Sequence, residues 1–212
     1  MTAVASGPSR WDDFRNSQRE EFADSIIAAV SHPAAGGLSV TDIVRRAGTS
    51  RKTFYKYFDS LTAAIIYTQN SVILRVAEHA GSTVPVSGPG RERLLSILRD
   101  QSTVATESPT LFRFLCFFDY TFRYSGVGRE ELYAFDATMR TLANDAIDIF
   151  RAGQSDGSIR ADLDPDLTVG AMSGAMIGMV QRYLATTSSS PQPELLLEMA
   201  DLEVSAWRSY LR

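Results

Sequence analysis

The sequence predicts an all-α protein: an N-terminal three-helix domain with a helix-turn-helix, plus a larger C-terminal helical domain. Three observations predict it. Segments between breakers carry apolar residues at helical spacing, and none alternates apolar and polar residues as a half-buried strand would. At 212 residues, 44% hydrophobic and with 8 prolines, the chain can bury one sizeable core, or one small domain plus a larger one. Residues 38–58, LSVTDIVRRAGTSRKTFYKYF, read as two short helices around a glycine turn, and they carry Arg45, Arg46, Arg51, Lys52 and Lys56 against Asp42 alone. The chain as a whole has a formal net charge of −4, and its only two lysines stand one turn apart in this window. A basic patch on an acidic body concentrates attraction for a polyanion where it should dock.

Residues 1–12, with Gly7, Pro8 and small side chains, read as a flexible arm. The first helix is expected from near Phe14 or Ser17 to Ser31, with Phe22, Ile26 and Val30 on one face and His32-Pro33 ending it. Residues 34–38 form a loop. Ser39-Val40-Thr41-Asp42 fits a capping box, the Ser39 hydroxyl accepting from the amide three residues on and Asp42 reaching back. Val40, Ile43, Val44 and Ala47 then make an apolar stripe. Gly48 can take the left-handed conformation that stops a helix, and Ser50 is a good cap for the next. In that helix Phe54 and Phe58, four apart, bury together, which leaves Arg51, Lys52, Thr53, Tyr55, Lys56 and Tyr57 facing outward or sideways. Ser60 caps a longer helix over 60–80 with Ile65, Ile66, Val72, Ile73 and Val76. Residues 81–90, GSTVPVSGPG, are the clearest break, and helices follow near 91–107, 109–124, 129–153, 165–187 and 192–211. The division expected is an arm over 1–12, a helix-turn-helix domain over 13–60 and a larger helical domain over 61–212.

The second short helix carries the functional signal. Amphipathic helix pairs with a solvated polar face are common, but two tyrosines and a threonine are odd on a purely solvating surface. They suit phosphate oxygens and thymine methyls. Lys52 and Thr53, near the helix start, are candidates for base edges; Arg51, Tyr55, Lys56 and Tyr57 for bases or phosphates; Ser39 and Ser50 complete the DNA-contacting set.

The chain here resembles the tetracycline-repressor (TetR/AcrR) family of bacterial transcription regulators. The resemblance rests on Ser39-Val40, Asp42-Ile43, Ala47-Gly48, Ser50, Thr53-Phe54-Tyr55 and Tyr57-Phe58, in the order of that family's amino-terminal domain. A second likeness lies at 153–178, GQSDGSIRADLDPDLTVGAMSGAMIG, similar to the segment leading into the family's dimerisation helix. Two departures stand out. Lys52 replaces a usual small residue, and Leu61 stands where the family usually has a phosphate-contacting lysine. The resemblance implies a regulator, a repressor released from a palindromic operator by a small apolar or aromatic ligand. It also implies an inducer pocket in the larger domain and homodimerisation through the last two helices as a four-helix bundle.

The most aromatic stretch, LFRFLCFFDYTFRY over 111–124, is too apolar to be exposed on most sides. Core packing explains any one of its residues. As a group, Phe114, Phe117, Phe118 and Phe122 with Met176 are the candidates for a ligand pocket, with Arg113, Asp119, Arg123 and Gln181 as possible polar anchors. Cys116 reads as a small buried hydrophobe. Gly170, Gly174 and Gly178, every fourth residue, make a smooth groove beside Met172, Met176 and Met179. In the final helix Leu195, Met199, Leu202 and Ala206 share a face that Trp207 and Leu211 extend. The candidate dimer interface is Gly170, Gly174, Gly178, Leu195, Met199, Leu202 and Trp207, although both helices could instead close the monomer's core or border the pocket.

Other classes fare poorly. The two histidines, His32 and His79, lie on different helices outside any metal-ligand spacing, and no glycine loop cradles phosphate. No enzyme activity, cofactor or metal is expected. No apolar run is long enough to cross a bilayer, the start lacks a signal peptide's apolar core, and one cysteine suits a reducing compartment, so a cytoplasmic location is expected. Two alternatives stay open: a DNA-binding dimer without a small-molecule effector, and an all-α carrier of hydrophobic molecules.

Overall fold

The computed structural model describes residues 10–31, 37–122, 128, 130, 132–186 and 192–212, and every regular element among them is helical. In chain order these are α1 (Arg10–Ser31), α2 (Val40–Arg46), α3 (Arg51–Tyr57), α4 (Leu61–Thr83), α5 (Gly90–Glu107) and α6 (Pro109–Phe117). A π-helical turn (Phe118–Phe122), α7 (Tyr133–Ser155), α8 (Pro165–Thr186) and α9 (Pro193–Tyr210) complete them. Three expected boundaries move. The first helix starts at Arg10, so the end of the expected arm is helical. Helix α4 runs on to Thr83, which shortens the central break. The aromatic segment gives up α-helical geometry after Phe117, as its backbone widens into the π turn. The His32-Pro33 stop, most of the loop after it, Arg123 and Tyr124 lie outside the described residues.

Helices α1 to α3 close around aromatic side chains. Phe22 of α1 meets Phe54 edge-on at 5.4 Å and 85° between planes, and its ring centroid lies 6.0 Å from those of Tyr57 and Phe58. Phe54 and Phe58 stack at 5.5 Å, the pairing their spacing predicts. Ile26, Ile43 and Phe54 have no exposed surface, so α1 and the two short helices share one apolar centre. Seven-residue helices are marginal in isolation; tertiary burial of this kind sustains them.

The larger body is built around α5, which packs against α4, α7, α8 and α9 through Leu94, Leu95, Leu98 and Ala105. Its amino end has no side-chain cap of its own, because Pro89 stands at the cap position. The cap comes from far along the chain: Gly90 N–H donates to Asp156 Oδ2 at 2.8 Å, and Arg91 N–H to Ser158 Oγ at 3.1 Å. Hydrogen bonds from Ser158 and from the Gly90 amide hold the Asp156 carboxyl below its ordinary range. Gly90 must be glycine here, since a Cβ would fall against the Gly153 backbone and 2.7 Å from Ile149 O.

The two parts are joined by a polar seam between α1 and α4. Glu20 accepts from Tyr67 Oη at 2.7 Å, Ser71 Oγ at 2.7 Å and Arg75 Nη2 at 2.5 Å, while Arg75 Nη1 reaches Asp24 Oδ1 at 2.6 Å. Arg19 lies 5.6 Å from the Phe58 ring centroid and 5.5 Å from that of Tyr67, and it donates to Tyr57 O at 3.2 Å. The carboxy-terminal end of α3 is thereby tied to α1 and α4 together.

Candidate nucleic-acid interface

Local chemistry sets the two short helices. Asp42 N–H donates to Ser39 Oγ at 3.2 Å, capping α2, and the Ser39 hydroxyl donates to Asp42 Oδ2 at 2.6 Å. The reciprocal arm of the expected box therefore ends on the hydroxyl, and the carboxylate's other oxygen takes Arg45 at 2.5 Å. Gly48 has φ +62°, the left-handed conformation a glycine permits, and Thr49 N–H returns to Val44 O at 2.9 Å. Ser50 Oγ accepts from Thr53 N–H at 3.1 Å and lies 2.9 Å from Thr53 Oγ1. Ser50 and Thr53 thus hold each other at the start of α3, Thr53 half-buried.

Arg51, Lys52, Tyr55 and Lys56 are exposed on α3. Arg51 and Lys52 have no ion-pair partner among the described residues, and Lys56 Nζ rests 5.7 Å from the Tyr57 ring centroid rather than on a carboxylate. Tyr55, 47% exposed, stands edge-on to Phe54 at 5.4 Å. Tyr57 departs from the expectation that it faces outward or sideways: it is 7% exposed, with its ring in the core against Phe22. The reason is helical: Phe54, Tyr57 and Phe58 sit at i, i+3 and i+4, one face of a helix. The result is a short helix with three cations and one tyrosine turned outward, its back fixed by three buried aromatics. Ser60 caps α4 beside it, accepting from Ala63 N–H at 3.0 Å. Arg19, which braces the end of α3, is a residue that sequence spacing gives no means of finding.

The expected ligand and dimer residues are placed as follows. Phe114, Phe118, Phe122 and Met176 are buried, with Phe117 half-buried among them. Phe118 lies 5.3 Å from Phe122 and 5.2 Å from Phe135, and Phe114 lies 5.9 Å from Phe117. These rings fill a core. A cleft of about 150 Å3 lies instead between α6, the π turn and α8, lined by Arg113, Cys116, Tyr120, Gln181, Leu184 and Ala185, none of them among the five pocket candidates. Burial pushes the Cys116 thiol up to about 11, with Asp119 adding to the shift.

On α8, Gly170 and Gly174 are exposed and Gly178 half-buried, and a Cβ built on any of the three would meet no atom within 4 Å. Met172 and Met176 point the other way, into the core, so they do not flank that groove. On α9, Leu195 and Leu202 are exposed, Met199 and Trp207 half-buried, and Leu211 is buried rather than part of the outward face. Leu167, 74% exposed, continues the apolar stripe at the start of α8. Among the described residues no helix is long and apolar enough to cross a membrane.

Residues 33–63, from before α2 into the start of α4, match the family model described as bacterial regulatory proteins, tetR family. The helix-turn-helix of this chain is similar to that family's. No protein of curated function matches the chain. Solved structures show the same fold over nearly the whole length. A putative TetR-family transcriptional regulator from Rhodococcus sp. is 18% identical with a TM-score of 0.76, over 91% of this chain and 99% of that one. The transcriptional regulator FadR from Bacillus subtilis, in complex with stearoyl-CoA, is 15% identical with a TM-score of 0.74, over 91% and 99%. The ketosteroid transcriptional regulator KstR2 of Mycobacterium tuberculosis is 16% identical with a TM-score of 0.67, over 92% and 95%. The chain shares the fold of these solved structures.

Proposed function

We propose that this tetR-family chain is a repressor that binds a palindromic operator as a homodimer and is released by a small molecule. The observation that carries the DNA-binding reading is the outward face of α3. Arg51, Lys52 and Lys56 stand there without a carboxylate partner among the described residues, on a helix whose two ends are pinned. Cations left unpaired on an acidic protein are free to replace the counterions of a phosphate backbone. The helix enters the major groove with Lys52 and Tyr55 toward bases and Arg51 and Lys56 toward phosphates, while Ser39, at the start of α2, supplies a further backbone contact. Ser50 and Thr53 serve first by capping α3; Tyr57 serves by packing behind it.

A single reading head covers few base pairs, and such modules work as two-fold pairs on half-sites about 34–36 Å, or a multiple of that, apart. The outward faces of α8 and α9, with Leu167, Gly170, Gly174, Leu195 and Leu202, support pairing there. Among proteins of this fold, the Bacillus subtilis FadR structure holds stearoyl-CoA and KstR2 is a ketosteroid transcriptional regulator, which supports effector control of this chain as well. In this reading residues 13–60 read the operator, residues 61–212 bind effector and partner copy, and the protein works in the cytoplasm, where its operator is. Linkage then requires DNA and effector to weaken one another equally, typically by about 1–3 kcal/mol.

The test is the salt dependence of duplex binding. Lys56→Ala should weaken binding to every duplex and lower the slope of log affinity against log salt by about 1. An unchanged slope removes Lys56 from the phosphate contacts.

A further inference from the structure

The cleft beside α6 holds chemistry that the DNA-reading head does not use. Its walls are mostly apolar: Leu184 and Ala185 from α8, the Cys116 thiol from α6 and the ring of Tyr120 from the π turn. Two polar side chains complete it. Gln181, only 6% exposed, donates from Nε2 to Asp119 Oδ2 at 3.0 Å, so its amide is held in place and the neighbouring carboxylate is engaged. Arg113 lines it from α6, and its guanidinium has no ion pair or hydrogen bond among the described residues. Among the described residues no carboxylate lines the cleft. An unpaired guanidinium at the edge of an apolar recess matches a planar carboxylate on an apolar body, because the fork of N–H donors takes both oxygens. The volume, about 150 Å3, is below the roughly 300–1,000 Å3 of pockets for drug-sized ligands, so the ligand is small.

We propose that this cleft is the effector site and that it takes a small aromatic or short aliphatic carboxylic acid, with Arg113 pairing the carboxylate. The aromatic cluster behind it stays core. Gln181 and Ala185 follow Gly174 and Gly178 along one side of α8, so the cleft opens at the end of the exposed small-residue face. An occupant would prop α6 against α8 next to the surface expected to pair. That the acid releases DNA rests on the regulator reading above; that the cleft binds the acid does not.

Benzoate and hexanoate are the probes, with benzyl alcohol and hexanol as uncharged counterparts of the same shape. Cys116 is the only thiol of the chain and lines the cleft, so its alkylation rate reports occupancy without reference to DNA. At about pH 9, where enough thiolate forms to react, at least one acid should protect Cys116 while both alcohols leave it reactive. Arg113→Leu should weaken that acid roughly tenfold or more, the loss expected for one charge-assisted contact, and Arg113→Lys should restore part of it. Melting temperatures close to the parent's would show that the variants fold. Failure of both acids to protect at about 10 mM, a concentration that would detect even millimolar affinity, overturns the proposal. So does protection that survives Arg113→Leu. The same acids added to the protein–DNA complex separate the two readings. Cys116 protected with DNA still bound keeps a binding cleft but ends its role as the effector site. DNA released equally from the parent and from Arg113→Leu keeps effector control and overturns the cleft.

Discussion

Tyr55 and Tyr57 stand two residues apart on α3 and face opposite media. Tyr55 lies half in solvent with one edge on Phe54; Tyr57 is packed against Phe22 and presents its ring to Lys56. Truncation should separate them. Tyr55→Ala removes one exposed ring contact and should cost about 1 kcal/mol of stability while sharply reducing operator affinity. Tyr57→Ala opens a cavity in the small amino-terminal core and should cost about 3 kcal/mol, with DNA binding lost because the head melts. Chemical unfolding and duplex binding, measured on both variants, check the pair; a Tyr55 variant that unfolds like the Tyr57 one would put both rings in the core. At this scale the sequence was readable wherever chemistry is local. The caps by Ser39, Ser50 and Ser60 and the left-handed Gly48 each depend on residues within three positions. Tyr57 is expected outward or sideways, but its i+3 relation to Phe54 turns the ring into the core against Phe22.

Between elements, the strongest polar tie is the α1–α4 seam around Glu20. Burial would raise the Glu20 pKa, but hydrogen bonds from Ser71, Tyr67 and Arg75 outweigh it and hold the carboxyl below its ordinary value of 4.5. A carboxylate depressed in the folded state adds stability that is fully present above that ordinary value and is lost as pH falls through the folded pKa. Glu20→Gln should therefore lower stability by about 1 kcal/mol at neutral pH, a figure kept small because the group is partly exposed. It should also flatten the loss of stability below about pH 4.5, which thermal melts across pH 3–7 would reveal. An unchanged acid limb would mean that other carboxylates carry it. No spacing rule finds this seam, since Glu20 and its partners are 47 to 55 residues apart. The same holds for the α5 cap, whose donors and acceptors are 66 and 67 residues apart. For the cleft the difficulty is similar: three elements line it, and the aromatic run drew attention to the residues just behind it.

For the whole molecule, the proposed pairing would have to hold two reading heads at the right separation. The glycine repeat on α8 was legible from its four-residue spacing, and it lies on an outward face with nothing against it. Met172 and Met176 beside it in sequence turn inward, because apolar residues on both sides of a helix cannot be assigned to a side by spacing alone. Leu202, 73% exposed on α9, offers a clean probe. Leu202→Glu should leave the fold of one chain intact but weaken pairing by about 2 kcal/mol or more through a charge placed in an apolar interface. Light scattering should then show the mass moving from two chains toward one, with operator affinity falling in parallel. A variant that stays paired would move the seam elsewhere.

The most direct test of the central claim is the binding of purified protein to a duplex carrying its selected site, followed from low to physiological ionic strength. An operator reader that docks α3 of each of two chains should bind tightly at low salt, and its log affinity should fall linearly with log salt at a slope corresponding to several phosphates. Replacing both lysines, Lys52 and Lys56, should reduce that slope. Binding that is absent at low ionic strength, or indifferent to salt, would contradict the claim that the cationic face of α3 was made to lie on DNA.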